Sequence, residues 1–191
     1  MRVKDKNKTI AIYNAVMFLV EKEGFGGLTM SKIAKQAKLA TGTLYIYFES
    51  KELLINALYL ELQENAASRF LADFDETAPF KNKIKGIWIN YFNHRIEFYK
   101  ESVFLEQYYR SPYISEEQRK IAHDLKVPII KLLEEGQKEG EVKSNIDAAL
   151  LFYSMLGFIR EIAAEHFLGT YTISDQTIEE AFELSWNGIK K

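Results

Sequence analysis

Residues 28–54 read LTMSKIAKQAKLATGTLYIYFESKELL, and this stretch constrains the chain more than any other. It holds two short helical patterns joined by a tight connection. A small polar start, Thr41-Gly42-Thr43, opens the second pattern, and Tyr45 and Tyr47 close it. Another helix start, Ser50-Lys51-Glu52-Leu53, follows at once. That layout predicts a helix-turn-helix whose second helix is offered to the major groove of DNA. The rest of the chain is too long and too aromatic to be only a DNA grip, so a second role must be coupled to the first.

Periodicity predicts helix nearly throughout, with no strand-period run, repeat or low-complexity tract. Helix one runs from about Thr9 to Glu23 on a stripe of Ile12, Ala15, Val16, Leu19 and Val20, and Gly24 stops it. Thr29 is placed to cap helix two, which carries Ile33, Ala34 and Ala37. Helix three covers about Thr41 to Tyr47, and helix four runs from Ser50 to about Leu71. An acidic loop at 73–79 marks a boundary. Further helices are expected near 80–99, 102–110, 116–138, 146–168 and 175–190. Pro128 falls inside the third of these and should kink or break it.

The charge is divided unevenly. Residues 1–55 hold nine Lys/Arg against five Asp/Glu, and the remainder sixteen against twenty-two. The basic excess thus coincides with the helix-turn-helix, as phosphate contact requires. With no cysteine in the chain, disulfides, thiolate nucleophiles and cysteine-ligated metals are excluded. The N-terminal stretch has no signal-peptide cleavage pattern, and the most apolar run, Ala148 to Ile159, is too short to span a bilayer. A cytoplasmic protein without a membrane partner is expected.

Helix three can be oriented from its spacing. At about 100° per residue, Leu44 and Phe48 share the core face. Gly42 and Ile46 then fall almost opposite, with Thr43 and Tyr45 on the flanks. Gly42 lets the backbone approach a duplex closely. Thr43 offers a hydroxyl and a methyl group, tyrosine hydroxyls reach phosphates, and an exposed Ile46 matches a thymine methyl.

The segment TGTLYIYFESKELL resembles the recognition-helix signature of the TetR family of bacterial transcriptional regulators. In that signature a small polar start leads into Gly-Thr-Leu-Tyr, then an aromatic pair, then a lysine opening the next helix. LTMSKIAKQAKLA is similar to the family's second helix and turn, so the specific likeness covers roughly residues 9–60. The resemblance implies that Thr29 and Lys32 meet phosphates, that Thr41, Gly42 and Thr43 enter the major groove, and that Tyr45, Tyr47 and Lys51 clamp the DNA backbone. Two positions depart from the pattern. Ala40 stands where serine often caps the recognition helix, which predicts that Thr41 takes over the cap. Lys38 fills a turn position often held by glycine. Left-handed backbone there costs about 1 kcal/mol, which a phosphate contact by Lys38 would offset.

Of 26 aromatic residues, nine lie between 87 and 113. Trp88, Tyr91, Phe92 and Arg95 share one helix face by spacing, and Phe104 and Tyr108 share another. Such stripes usually mean core, but tyrosine hydroxyls need partners when buried. With the family resemblance, they suggest an apolar pocket bordered by Trp88, Tyr91, Phe92, Phe104 and Tyr108, with Phe152 and Met155 on its far side; Arg95, Glu106 and Gln107 are candidate polar anchors, but helical spacing cannot place all three in one cavity. The helix from Ala148 is apolar on nearly all sides and must be buried all round. Gly157 would admit another helix. Phe152, Leu156, Gly157 and Phe158, with Ile178, Phe182 and Trp186 of the last helix, are therefore the expected dimer interface, a four-helix bundle of the kind the resembled family uses.

Nothing points to catalysis. His94, His123 and His166 form no ligand pair, and Gly24-Phe25-Gly26-Gly27 follows a helix rather than a strand. No cofactor is expected. The reading is an all-α homodimer, with a helix-turn-helix DNA-binding domain at 1–52 and a larger helical ligand-binding and dimerisation domain at 53–191. Its partners would be a double-stranded operator and a small hydrophobic effector. The effector would displace helix four and change the spacing of the two heads, which must sit roughly 34–36 Å apart to enter successive major grooves. A constitutive DNA-binding protein with no small-molecule pocket is the alternative.

Overall fold

The computed structural model describes residues 5–191. Helices follow in the order α1 (Lys6–Glu23), α2 (Met30–Gln36), α3 (Thr41–Tyr47), α4 (Lys51–Phe70), α5 (Phe80–Glu97), α6 (Tyr99–Tyr109), α7 (Glu116–Asp124), α8 (Val127–Glu139), α9 (Ala148–Leu156), α10 (Ile159–Phe167) and α11 (Asp175–Ile189). A 3-10 turn at Phe25–Gly27 links α1 to α2. Among the described residues the one extended pairing is an isolated antiparallel bridge between Val142 and Lys190. Packing divides the chain into two compact units. The first ends at Ala66 and adds Lys100–Arg119, and the second comprises Ala67–Tyr99 and Lys120–Lys191.

In the first unit, local side chains set the helix ends. Asp5 caps α1 by accepting the Asn7 N–H at 2.9 Å. Gly24, at φ 67°, turns the chain out of α1 while its N–H returns to the Val20 carbonyl. Thr29 accepts the Lys32 N–H at 3.2 Å to open α2, and Ser50 accepts the Leu53 N–H at 3.2 Å to open α4. Between α2 and α3, Lys38 sits at φ 57°, in the left-handed region that glycine adopts most easily. The core collects Ile12, Val16 and Val20 from α1, Ile33 from α2, Leu44 from α3, Leu54, Ile55 and Leu58 from α4, and Phe104 and Tyr108 from α6. The compact unit therefore does not stop at residue 52. The part of α4 up to Ala66, more than four turns, and the whole segment from Lys100 to Arg119 pack with the helix-turn-helix, because their apolar faces have their partners there.

In the second unit, two long helical patterns are each broken in two. Pro128 lies in the first turn of α8, where its missing N–H needs no partner, so the span 116–138 becomes α7 and α8. The span 146–168 becomes α9 and α10. A Cβ at Gly157 would lie 2.7 Å from the Tyr153 carbonyl oxygen, so the tight turn between the two helices requires glycine. At Gly136 a Cβ would lie 2.2 Å from the Phe80 ring, and there glycine lets α8 receive the first side chain of α5. The core is built on Trp88 and Phe92 of α5, Leu133 of α8, Leu151, Phe152 and Met155 of α9, and Phe182, Trp186 and Ile189 of α11. The buried Trp88 indole donates to the Ser185 hydroxyl at 2.9 Å, which satisfies its one polar atom.

Candidate nucleic-acid interface

The face of α3 is decided by two neighbours. Leu44 is fully buried, whereas Ile46 is 68% exposed. Thr41, Gly42 and Tyr45 are exposed with Ile46, and Thr43 is half-buried on the flank. A Cβ at Gly42 would meet nothing within 4 Å, so the chain's own packing makes no demand for glycine there. The open space lies outward, on the side from which a duplex would approach. A single α3 thus carries a bare backbone position, hydroxyl groups and an unpartnered apolar side chain on one exposed surface.

The helix starts differently from expectation. Ala40 occupies the N-cap and no side-chain hydrogen bond closes the first turn. Thr41 is the first helical residue, so it does not take over the cap, and its hydroxyl is not committed to that task.

The residues flanking α3 fall into three kinds. Thr29 and Lys38 are exposed at the start and end of the α2 segment. Lys32 is exposed, but its ammonium is paired with Glu23. Exposed pairs of this type contribute at most about 1 kcal/mol, so exchange of Glu23 for a phosphate is cheap. Lys51 differs. Its Nζ stands 5.6 Å from the centre of the Tyr113 ring, and its charge is felt by the neighbouring Glu52 carboxylate without a close ion pair between them. Tyr47 departs furthest from its expected place as an open phosphate clamp. Its ring is buried, and its hydroxyl accepts the Asp5 N–H at 3.1 Å, tying α3 to the start of α1.

A supporting layer lies beneath this surface, drawn from residues 104–118. Phe25, in the turn between α1 and α2, packs edge-on against Phe104 and Tyr108 and tilted against Tyr113. Tyr108 stacks on Tyr59 of α4 with ring centres 4.2 Å apart. Its hydroxyl lies 2.6 Å from Asn56 Oδ1, with Gln118 Oε1 and the Tyr113 carbonyl at 3.0 and 3.3 Å. Burial pushes the Tyr59 and Tyr108 phenols up from their ordinary range, so both stay protonated and able to donate. Gln107 donates to the Val20 carbonyl at the end of α1. Nothing in the linear sequence pairs these residues with the helix-turn-helix, from which they are far removed.

The rings expected to border a pocket are divided between the two units. Phe104 and Tyr108 belong to the first unit's core, and Trp88, Phe92, Phe152 and Met155 to the second's, with half-buried Tyr91 packed against it. Each stripe packs within the core of its own unit. Of the polar candidates, Gln107 is engaged at the Val20 carbonyl in the first unit, and Arg95 is buried in the second. A groove within the second unit has other walls. It encloses about 550 Å³ among Leu71, Phe74, Ile87, Ile129 and Leu132, with Lys83, Lys131, Glu76 and Glu135 at its margins.

Most of the residues expected at a dimer interface pack within this chain. Phe152, Leu156, Phe182 and Trp186 are buried in the chain's own core, and Phe158 and Ile178 are half-buried against it. Gly157 is exposed, but its small size serves the α9–α10 turn. The large apolar side chains that α9 and α11 leave open are Leu150, Tyr153 and Leu184.

Comparison with known proteins gives a consistent result. Residues 12–58 match the model of bacterial regulatory proteins, tetR family. Residues 79–190, more than half of the chain, match the model of the tetracyclin repressor-like C-terminal domain. An uncharacterized HTH-type transcriptional regulator of Haemophilus influenzae is 28% identical over 187 residues, covering 94% of each chain. The fatty acid metabolism regulator protein of Bacillus subtilis is 28% identical over 172 residues, 88% of this chain and 86% of that one. Among solved structures, a TetR family transcription regulator from Marinobacter aquaeolei superposes over the whole of both chains with a TM-score of 0.84 at 25% identity.

Proposed function

The chain belongs to the TetR family of bacterial regulatory proteins and is a transcriptional regulator with a DNA-binding domain; from that premise we propose that it is a repressor, released from its operator by a small, largely hydrophobic effector. The observation that carries the DNA-binding half of this reading is the outward face of α3, where Ile46 lies open beside Thr41, Gly42 and Tyr45. Thr41, Gly42, Thr43 and Ile46 read bases in the major groove. Thr29, Lys32, Lys38, Tyr45 and Lys51 contact phosphates. Tyr47 acts from below, by holding α3 against α1.

The protein works as a cytoplasmic homodimer built on α9 and α11, with Leu150, Tyr153 and Leu184 as the apolar face that the partner covers. A second copy supplies the second recognition helix that an operator of two half-sites requires. The effector seat is the groove lined by Leu71, Phe74, Ile87, Ile129 and Leu132, whose volume suits a small molecule. An effector that binds better to the form with unsuitable head spacing lowers DNA affinity by the ratio of its two affinities. A second reading is favoured by the packed state of the central rings: a constitutive regulator, in which no small molecule enters.

Footprinting on the chain's own upstream DNA tests the first half. Protection of two half-sites about one helical turn apart is expected, and Ile46→Ala should relax base preference at one position of each. A footprint unaltered by Ile46→Ala, Thr43→Ala and Gly42→Ala together would overturn the recognition role of α3. For the effector, Leu132→Trp should fill the groove and abolish ligand-induced release while leaving operator affinity intact. Release that persists unchanged in this variant would reject the groove as the seat. A failure of any hydrophobic ligand to release the wild-type protein would favour the constitutive reading.

A further inference from the structure

We propose that Tyr113, in the loop between α6 and α7, is a positioning residue for the phosphate contact of Lys51, so that the segment 108–118 controls one DNA contact directly. The inference rests on the reading of Lys51 as a phosphate ligand. Lys51 is the first residue of α4, and its Nζ lies over the Tyr113 ring at 5.6 Å, within the reach of a cation–π attraction. A ring face holds an ammonium without neutralising it and without occupying its three N–H donors. The contrast with Lys32 is informative, since Lys32 must give up Glu23 before it can serve a phosphate. Lys51 is oriented in advance and keeps its full charge.

The ring is itself held from both sides of the first unit. It packs against Phe25, whose 3-10 turn joins α1 to α2. Its backbone is clasped by neighbours: the Tyr113 N–H donates to the Ser111 hydroxyl at 3.2 Å, and that hydroxyl donates to the Tyr108 carbonyl at 2.7 Å. The Tyr108 hydroxyl faces three acceptor oxygens, on Asn56 of α4, on Gln118 of α7 and on Tyr113 itself. One proton cannot serve all three at once. Asn56 Oδ1 is the nearest of the three acceptors, and a shift of the hydroxyl toward Gln118 or Tyr113 would loosen the loop from α4. Tyr113 would then leave Lys51, and the phosphate contact would lose its support without any movement within α2 or α3.

The test is a double-substitution cycle in the full-length protein, read by fluorescence anisotropy on a labelled mixed-sequence duplex across a salt series. Lys51→Ala should weaken binding and reduce the salt slope by about one. Tyr113→Leu should weaken binding on the order of two- to fivefold, and Tyr113→Phe, which keeps the ring, should leave it unchanged. In the Lys51→Ala background, Tyr113→Leu should have no further effect. An equal loss in both backgrounds would overturn the proposal, because Tyr113 would then act through general packing. A Lys51→Ala protein with an unchanged salt slope would instead overturn the phosphate reading beneath it. Should Tyr113→Leu fail to fold, wild-type NMR decides. The Lys51 ε-methylene protons should lie upfield of those of exposed Lys35 and stay there when the duplex is added. Protons that match Lys35, or that move to its position on DNA binding, would overturn the positioning role.

Discussion

The two units are built alike, from short helices around an apolar core, yet their exposed faces differ in how they can be read. In the first unit, α3 has one buried residue per turn and a mixed outward face, so Leu44 and Ile46 are told apart by spacing alone. In the second unit, α9 is apolar on nearly every side. Phe152 and Leu156 face the chain's own core, while Leu150 and Tyr153 are open. Nothing in the residue types separates the two sets. A face that is half polar reveals its orientation, and a face that is apolar all round reveals only that it is buried in something.

The largest effect should separate the two apolar faces of α11. Phe182 is fully buried, whereas Leu184 is 67% exposed. Phe182→Asp places an unpaired charge in the core and should unfold the second unit, since even truncation of a buried phenylalanine costs about 3–5 kcal/mol. Leu184→Asp should leave the fold intact but yield monomers that bind an operator at least about a hundredfold more weakly, having lost the second head. Sedimentation velocity with circular dichroism distinguishes the outcomes. A folded monomer from Phe182→Asp, or an intact dimer from Leu184→Asp, would reverse the assignment of the two faces.

A smaller effect concerns acid stability, which should reside in the second unit. His94 is buried between the rings of Phe70 and Phe98, and its Nδ1 lies 3.4 Å from a guanidinium nitrogen of Arg69. Burial first, then the charges of Arg69 and Arg95, lowers its pKa to about 4. The unfolded chain binds this proton at its ordinary value near 6.5, so it takes up the proton before the folded chain does. The stability is present in full above about pH 6.5 and is lost as the pH falls toward about 4, by a few kcal/mol at most. Urea midpoints should therefore fall between about pH 6.5 and 5. His94→Phe, which keeps the ring packing, should flatten that slope; an unchanged slope would remove His94 as its cause.

What was legible follows the same division between local and distant causes. Helix ends were readable because each is set within a few residues: Gly24 stops α1, Thr29 caps α2, Ser50 caps α4 and Pro128 starts α8. The left-handed turn at Lys38 was raised only by the resemblance, whose pattern often has glycine at that position. The partner of the Tyr47 hydroxyl was not readable, because Asp5 lies 42 positions away. Nor was the bond from Gln107 to Val20, across 87 positions. The aromatic stripes were visible, but their division between two cores was not, since spacing along a helix says which residues share a face and not what covers it.

The turn before α3 should be about 1 kcal/mol less stable than it could be. Lys38→Gly removes the cost of left-handed backbone and should raise the melting temperature by a few degrees, while weakening DNA binding through loss of a charge. Lys38→Ala keeps the strain and loses the charge, so it should weaken binding without the thermal gain. Equal melting temperatures for the two variants would show that the turn stores no strain.

The smallest effect lies one step further along the same connection. Ala40 is the N-cap of α3 but has no side-chain oxygen to accept a first-turn N–H, and no neighbour supplies one to the cap. The backbone at Ala40, φ −67° and ψ 142°, is already the extended conformation that a capping serine adopts. Ala40→Ser should therefore stabilise the protein by about 0.5–1 kcal/mol with no rearrangement of α3. The gain should appear as slower amide exchange at Gly42, since the Thr43 N–H already donates to the Ala40 carbonyl at 2.9 Å. The second unit offers the control, because α11 already has its capping serine: Ser174 accepts the Thr177 N–H, and Ser174→Ala should cost a similar amount there. If Ala40→Ser leaves both stability and exchange unchanged while Ser174→Ala destabilises, then the start of α3 is held by something other than its cap. Local chemistry would then be as poor a guide to the recognition helix as it is to the exposed face of α9.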